Sequence, residues 1–144
     1  MPDVPQLQLD DLSSLGPVLV TGGTGFLGGR LVRTIVERGG FVRFTGRDLR
    51  RGLELSRLHP RRAEYRPVDL RDRAGTIAAC HGMRYVVHSG AHVAPWGEAD
   101  DYFDINVDGT ENVISGCHRH RIERLVYIST PSVMTRPRPQ PGLT

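Results

Sequence analysis

Lysine is absent from all 144 residues, so the 19 basic side chains are arginine throughout. A net charge of +3 and a pI near 9.3 would ordinarily raise a nucleic-acid surface. The arginines are instead spread along the chain, and total lysine absence fits a GC-rich coding bias better than a binding stripe. Nucleic-acid binding is not expected. Cysteine is nearly absent too: Cys80 and Cys117 lie far apart on expected helices, with no metal-ligand spacing to a second Cys or a His pair. A structural disulfide is not expected in a cytosolic chain. His118 and His120 flank Arg119 and would point to different faces of a helix, which argues against a metal site there. No apolar run approaches the ~20 residues needed to span a membrane. Met1 to Gly16 is polar and acidic and lacks a hydrophobic signal region, so a cytoplasmic location is expected. A hydrophobic content of 38% with 24% charge is ordinary for a soluble globular chain of one core.

What is present is a glycine turn in a telling place. Val18 to Gly28 reads VLVTGGTGFLG: an apolar β-type run enters the turn and a helical pattern leaves it. Gly22 permits the tight turn, Gly25 lets backbone approach a pyrophosphate, and Gly28 lets the helix pack near the strand. The free N–H groups and dipole of that helix start would then face phosphate charge. A lone glycine triplet is weak, but here a strand precedes it, a helix follows, and a second strand comes at the right distance.

Strand and helix patterns alternate through the rest of the chain. Strands are expected at Pro17–Thr21, Phe41–Thr45, Glu64–Val68, Arg84–His88 and Arg124–Ser129. Helices are expected at Phe26–Arg38, Leu49–Leu58, Asp72–Cys80 and, as one long element, Ala99–Arg119. Gly39-Gly40 ends the first helix, and the second stops before Pro60. Such alternation implies right-handed crossovers and a parallel sheet. The fold class is therefore α/β, a Rossmann doubly wound parallel sheet of order 3-2-1-4-5, with the cofactor at the switch between strands one and four. Residues 1–16 read as a loose extension and 17–134 as the dinucleotide-binding unit. Residues 135–144, with Pro137, Pro139 and Pro141, read as an irregular tail.

Ligands in such a sheet meet residues at the carboxyl ends of strands. After strand two, Gly46 stands where an NAD site places a ribose carboxylate, and Arg47 follows. A guanidinium there would pair with a 2′-phosphate, which favours NADP(H) over NAD(H). If the strand ran two residues longer, Asp48 would be the ribose acid instead. After strand three, Asp69 could accept from an adenine amino group while Leu70 covers a ring face, or Asp69 could only cap the next turn. After strand four, Ser89, Gly90 and Ala91 are small enough to leave room for a nicotinamide ribose. His88 is expected to be packed and hydrogen-bonded rather than catalytic. Asn106, Gly109, Val113 and Gly116 share one expected helix face that points inward. After strand five, the hydroxyl of Ser129 or Thr130 could bond a substrate oxygen or merely a local backbone group.

Five ordered blocks carry a family resemblance: Thr21 to Gly28, Val68-Asp69-Leu70, Val86 to Ala91, Asn106 to Thr110, and Arg124 to Thr130. Together, over about Val18 to Met134, they resemble the extended short-chain dehydrogenase/reductase family. Ala94-Pro95-Trp96-Gly97 and Ser129 to Val133 are similar to its 3β-hydroxysteroid dehydrogenase branch, which includes sterol-4α-carboxylate dehydrogenases and bacterial 2-alkyl-3-oxoalkanoate reductases. The resemblance implies that Gly22, Gly23, Thr24, Gly25, Phe26, Leu27 and Gly28 form the pyrophosphate turn. It implies that Arg47 selects the 2′-phosphate and that Asp69 and Leu70 hold adenine. Ser89, Gly90 and Ala91 would line the nicotinamide end. Asn106 would be the structural and relay asparagine, and Thr130 the catalytic hydroxyl that orients the reacting oxygen. The implied activity is hydride transfer at a 3-hydroxy or 3-keto group of a sterol-like or long-chain lipid. The implied assembly is a homodimer through the long helices.

The family's acid–base pair, Tyr-x-x-x-Lys, uses a Tyr to move the substrate proton and a Lys to lower its pKa. Tyr65, Tyr85, Tyr102 and Tyr127 are followed four positions later by Asp69, Ser89, Asn106 and Pro131, so the pair does not occur in these residues. The chain thus reads as the first part of an enzyme, truncated before its last strands and substrate domain, and inactive alone. Two other readings stand beside it. One is a non-catalytic NADP-binding module. The other is a nucleotide-sugar epimerase or dehydratase of the same family, which would favour NAD and an acid after strand two.

Overall fold

The structure, a computed structural model, describes residues 11–93 and 98–130. Five strands form one sheet: β1 (Val18–Thr21), β2 (Val42–Gly46), β3 (Ala63–Pro67), β4 (Tyr85–His88) and β5 (Arg124–Tyr127). Their order is β3-β2-β1-β4-β5, and every pair is parallel, with Val20 opposite both Phe44 and Val87 and His88 opposite Tyr127. The expected fold class and strand order are met. Crossovers run through α1 (Phe26–Glu37), α2 (Leu49–Leu58), α3 (Arg73–Ala79), and the pair α4 (Ala99–Phe103) and α5 (Gly109–Arg119).

Alternation along β1 explains the two-sided core. Val18 and Val20 join Val32, Ile35, Phe44 and Leu55 under α1 and α2, while Leu19 joins Ala79, Cys80, Val86 and Val113 under α3 and α5. A strand covered on both faces must be apolar on both, and all four β1 residues are buried. Asp48 and Asp72 start α2 and α3 by accepting the N–H of Arg51 and Gly75, at 2.9 and 3.0 Å, the ordinary N-cap arrangement. Of the extension read over 1–16, the described part lies against the sheet: Leu12 N–H donates to the Arg38 carbonyl at 2.6 Å, and Leu15 packs on the first core cluster.

The helix expected as one regular element over Ala99–Arg119 departs from that expectation. Between α4 and α5 the chain takes a π-helical turn over Asp104–Asp108. The wider turn changes the phase of the preceding residues, so Asn106 does not share the buried face of Gly109, Val113 and Gly116. Asn112 lies buried with those three, and Asn106, half-buried, turns to the loop after β4. A second departure concerns the cysteines. Far apart in sequence, Cys80 and Cys117 meet across the α3–α5 seam as free thiols.

Candidate functional site

The carboxyl ends of β1 to β4 open into a cleft of ≈ 190 Å³. Its floor is the glycine turn. Gly22 takes φ +68°, and a Cβ there would stand 2.6 Å from Gly90 Cα, so only glycine lets the β1 turn touch the loop after β4. Gly25 starts α1 with no side-chain cap, which leaves first-turn N–H groups available to an anion. Gly22, Thr24 and Gly25 line the cleft with Arg47 after β2, Asp69 and Leu70 after β3, and Ser89, Gly90 and Ala91 after β4. These are residues singled out from the sequence, brought together by the strand order.

Other expected residues lie elsewhere. Gly28 and Gly23 sit behind the turn, against Gly22 and Phe44. Phe26 and Leu27 are exposed on α1. Asn106 and Thr130 are not among the cleft's lining residues, and Thr130 is exposed just beyond β5. Ala94 to Gly97 and Pro131 to Val133 lie outside the described residues. Thr45, Gly46, Val68 and Ile105 line the cleft without having been singled out as contacts. Thr45, Gly46 and Val68 flank residues already chosen. Ile105 arrives through the π turn, for which no local pattern speaks.

Each strand end has its own chemistry. β2 runs one residue further than expected, to Gly46. A Cβ at Gly46 would collide with Thr24 Oγ1 and stand 2.8 Å from Thr24 Cγ2, so no carboxylate fits there while Thr24 keeps its place. Asp48 is committed to capping α2. Asp69 accepts three N–H groups of Arg71: the backbone N–H at 3.0 Å, Nε at 3.1 Å and Nη2 at 2.8 Å. Arg71 holds that carboxyl below its ordinary value, with a smaller contribution from Arg47. Asp69 is therefore ionised, and the cap of α3 belongs to Asp72.

Beneath the cleft runs a buried polar chain. Thr110 Oγ1 donates to the Asn106 carbonyl at 2.7 Å. It therefore receives the His88 Nε2 proton across 3.0 Å. That assigns the Nε2–H tautomer, and Nδ1 accepts from the Thr21 hydroxyl at 2.5 Å. Burial pushes the His88 pKa down to about 4, so the ring is neutral at ordinary pH. Thr21 also holds the loop after β4: its carbonyl accepts from Ser89 Oγ at 2.7 Å and its hydroxyl from Gly90 N–H at 3.3 Å. The Asn106 amide clamps the same loop, accepting from His92 N–H at 2.7 Å and donating to the His92 carbonyl at 3.1 Å. His88 is thus a positioning residue, packed and hydrogen-bonded as its sequence context suggests. Among the described residues no group of three or more His, Cys, Asp or Glu could hold a metal.

An uncapped helix start, an anion-ready turn, an apolar wall at Leu70 and Ile105, and an arginine at the rim fit a dinucleotide. A sequence model of the 3-beta hydroxysteroid dehydrogenase/isomerase family matches residues 19–139. A 2-alkyl-3-oxoalkanoate reductase of Stenotrophomonas maltophilia is 44% identical over 119 residues, covering 83% of this chain and 34% of the relative. A 3 beta-hydroxysteroid dehydrogenase/Delta 5-->4-isomerase of Mycobacterium tuberculosis is 37% identical over 129 residues, covering 85% and 34%. Among solved structures, a UDP-glucose-4-epimerase from Stenotrophomonas maltophila with bound NAD superposes with a TM-score of 0.72 at 24% identity, covering 88% of this chain and 40% of that one. At that identity the likeness concerns the fold. The chain spans about a third of the length of the curated relatives it matches.

Proposed function

The chain belongs to the 3-beta hydroxysteroid dehydrogenase/isomerase family, and on that footing we propose that it is the dinucleotide-binding part of an NAD(P)-dependent oxidoreductase. The observation that carries this reading is the meeting of the glycine turn with the ends of β2, β3 and β4 in one cleft. The α1 start and Gly22 to Gly28 hold the pyrophosphate. Asp69 and Leu70 hold the adenine, and Ser89, Gly90 and Ala91 shape the nicotinamide end. A bound nicotinamide would give or take the hydride.

NADP(H) is preferred over NAD(H) on two grounds. Arg47 stands at the rim, where its guanidinium can pair with a 2′-phosphate. Thr24 fills the space that a ribose carboxylate at position 46 would need. The substrate carries a 3-hydroxy or 3-keto group on a sterol-like or long-chain lipid skeleton, following the names of the relatives. Thr130 orients the reacting oxygen by its hydroxyl. Asn106 acts through the loop it clamps, as a positioning residue. The Tyr and Lys that move the proton come from sequence outside these 144 residues, so this chain alone turns nothing over. Residues 17–134 form the working unit. It operates in the cytoplasm, as a homodimer through the α4–α5 region; no helix of the described residues is long and apolar enough to cross a membrane.

Titration with NADPH and NADH tests the cofactor claim. A charge-assisted bond is worth about 1.5–3 kcal/mol, so Arg47→Ala should weaken NADPH binding roughly 10- to 100-fold and leave NADH nearly unchanged. Equal losses for both cofactors would remove Arg47 from 2′-phosphate recognition.

A further inference from the structure

The seam between α3 and α5 holds the chain's two thiols. Cys80 ends α3 and is fully buried, and Cys117, in the last turn of α5, is half-buried against the same core cluster. Gly116 is the reason they meet. A Cβ at 116 would stand 2.6 Å from Cys80 Sγ and 3.4 Å from Cys80 Cβ. The missing side chain therefore lets Cys80 lie against the α5 backbone beside Cys117. Cys117 packs on the same core cluster as Cys80, and the Cys80 thiol donates to the Thr76 carbonyl at 3.6 Å.

We propose that Cys80 and Cys117 form a reversible intrachain disulfide that pins α3 to α5. The co-reactant is a small-molecule disulfide such as oxidised glutathione. The Cys117 thiolate attacks one of its sulfurs, forming a mixed disulfide and expelling one thiolate. Cys80 then attacks the Cys117 sulfur and expels the second. The two protein thiols lose two electrons and two protons, and the co-reactant leaves as two thiols. The order of attack follows from the surroundings. Cys117 is the accessible one, and its contact with Cys80 lowers its pKa. Contact with Cys117 and then burial raise Cys80, which suits a resolving thiol. The same seam supports the cleft from behind: the Asn112 amide donates to the Leu70 carbonyl at 2.9 Å, and Leu70 lines the cleft. The proposal stands or falls without the dinucleotide reading.

The test uses the whole 144-residue chain, reduced and then exposed to oxidised glutathione without denaturant. Cleavage after arginine places Cys80 in the peptide from Ala74 to Arg84 and Cys117 in the peptide from Tyr85 to Arg119. The expected result is these two peptides joined, separable by dithiothreitol, from a chain that carries no interchain disulfide and is lighter by two hydrogens. Its thermal midpoint should rise by about 5–10 °C. Cys117→Ser should yield no joined peptide and leave Cys80 open to alkylation only after unfolding. A glutathione adduct on Cys117 with Cys80 still free, or chains cross-linked through Cys117, would overturn the proposal. So would joined peptides accompanied by a lowered midpoint, since the bond would then form only by distorting the helices.

Discussion

Gly28 and Gly29 are neighbours in the first turn of α1, yet alanine should act on them in opposite directions. In both cases alanine favours the helix by up to about 1 kcal/mol over glycine. At Gly29 the new Cβ would meet only Arg51 Nη2 at 3.3 Å, the Gly23 carbonyl oxygen at 3.4 Å and Leu55 Cδ1 at 3.9 Å. The nearest of these is the tip of a flexible side chain, so Gly29→Ala should be neutral or slightly stabilising. At Gly28 the Cβ would collide with the Gly22 carbonyl oxygen and stand 2.7 Å from the Gly22 carbonyl carbon and 2.9 Å from Gly23 Cα. These are all backbone atoms of the turn itself, and none can rotate away. Overpacking of this kind costs about 1–3 kcal/mol, with the upper end apt because backbone must move. Net, Gly28→Ala should lie about 2–3 kcal/mol below Gly29→Ala, a gap of roughly 5–10 °C in Tm. Urea titration followed by circular dichroism reads the first quantity and a thermal scan the second. Because the displaced atoms form the pyrophosphate turn, Gly28→Ala should also lose dinucleotide affinity while Gly29→Ala keeps it. Equal stabilities for the two variants would refute this reading of the turn.

The other expectations concern buried polar groups. The native pKa of His88 lies below its unfolded value, at about 4 against 6.5. Its contribution to stability is therefore complete above the unfolded value and lost as pH falls toward 4, where the unfolded chain binds a proton that the native chain refuses. That window is worth about 3 kcal/mol; His88→Asn should flatten the slope of stability against pH across it, and an unchanged slope would contradict the assignment. Arg43, buried in β2, donates to Glu64 at 3.0 Å and to the carbonyls of Ala79 and His81 at 2.9 and 2.6 Å. Glu64 keeps its pair with Arg66 at 2.7 Å, so Arg43→Met should cost about 1–3 kcal/mol in urea unfolding through the two carbonyls left without a donor, and no measurable loss would show those carbonyls to be satisfied otherwise. Asn106→Ala frees the backbone of His92 and should lower dinucleotide affinity more than it lowers stability; the reverse ranking would make the clamp purely structural.

Much of this architecture is local and could be read from residue order. The apolar β1 run, the spaced glycines and the Gly39-Gly40 stop each depend on near neighbours, and parallel topology follows from their alternation. What could not be read depends on partners distant in sequence. The π turn at Asp104–Asp108 sits where Asn106 reaches His92 and Thr110 reaches His88, contacts that no helical period announces. Arg43 looks like an interruption of β2 until parallel register sets it opposite Glu64. Cys80 and Cys117 look unrelated until α3 settles on Gly116. The same holds in the cleft: Gly22, Arg47, Asp69 and Ser89 could be chosen because strand ends converge, whereas Ile105 enters only with the π turn.

The central claim is that a dinucleotide binds in this cleft, and amide NMR on the labelled chain during NADPH addition tests it most directly. Binding there predicts shifts confined to the turn from Gly22 to Gly28, to Arg47, to Asp69 and Leu70, and to Ser89 through Ala91, with NADH producing the same pattern more weakly. Saturating NADPH that left those amides unmoved, or moved instead a set of residues along the α3–α5 seam, would contradict it.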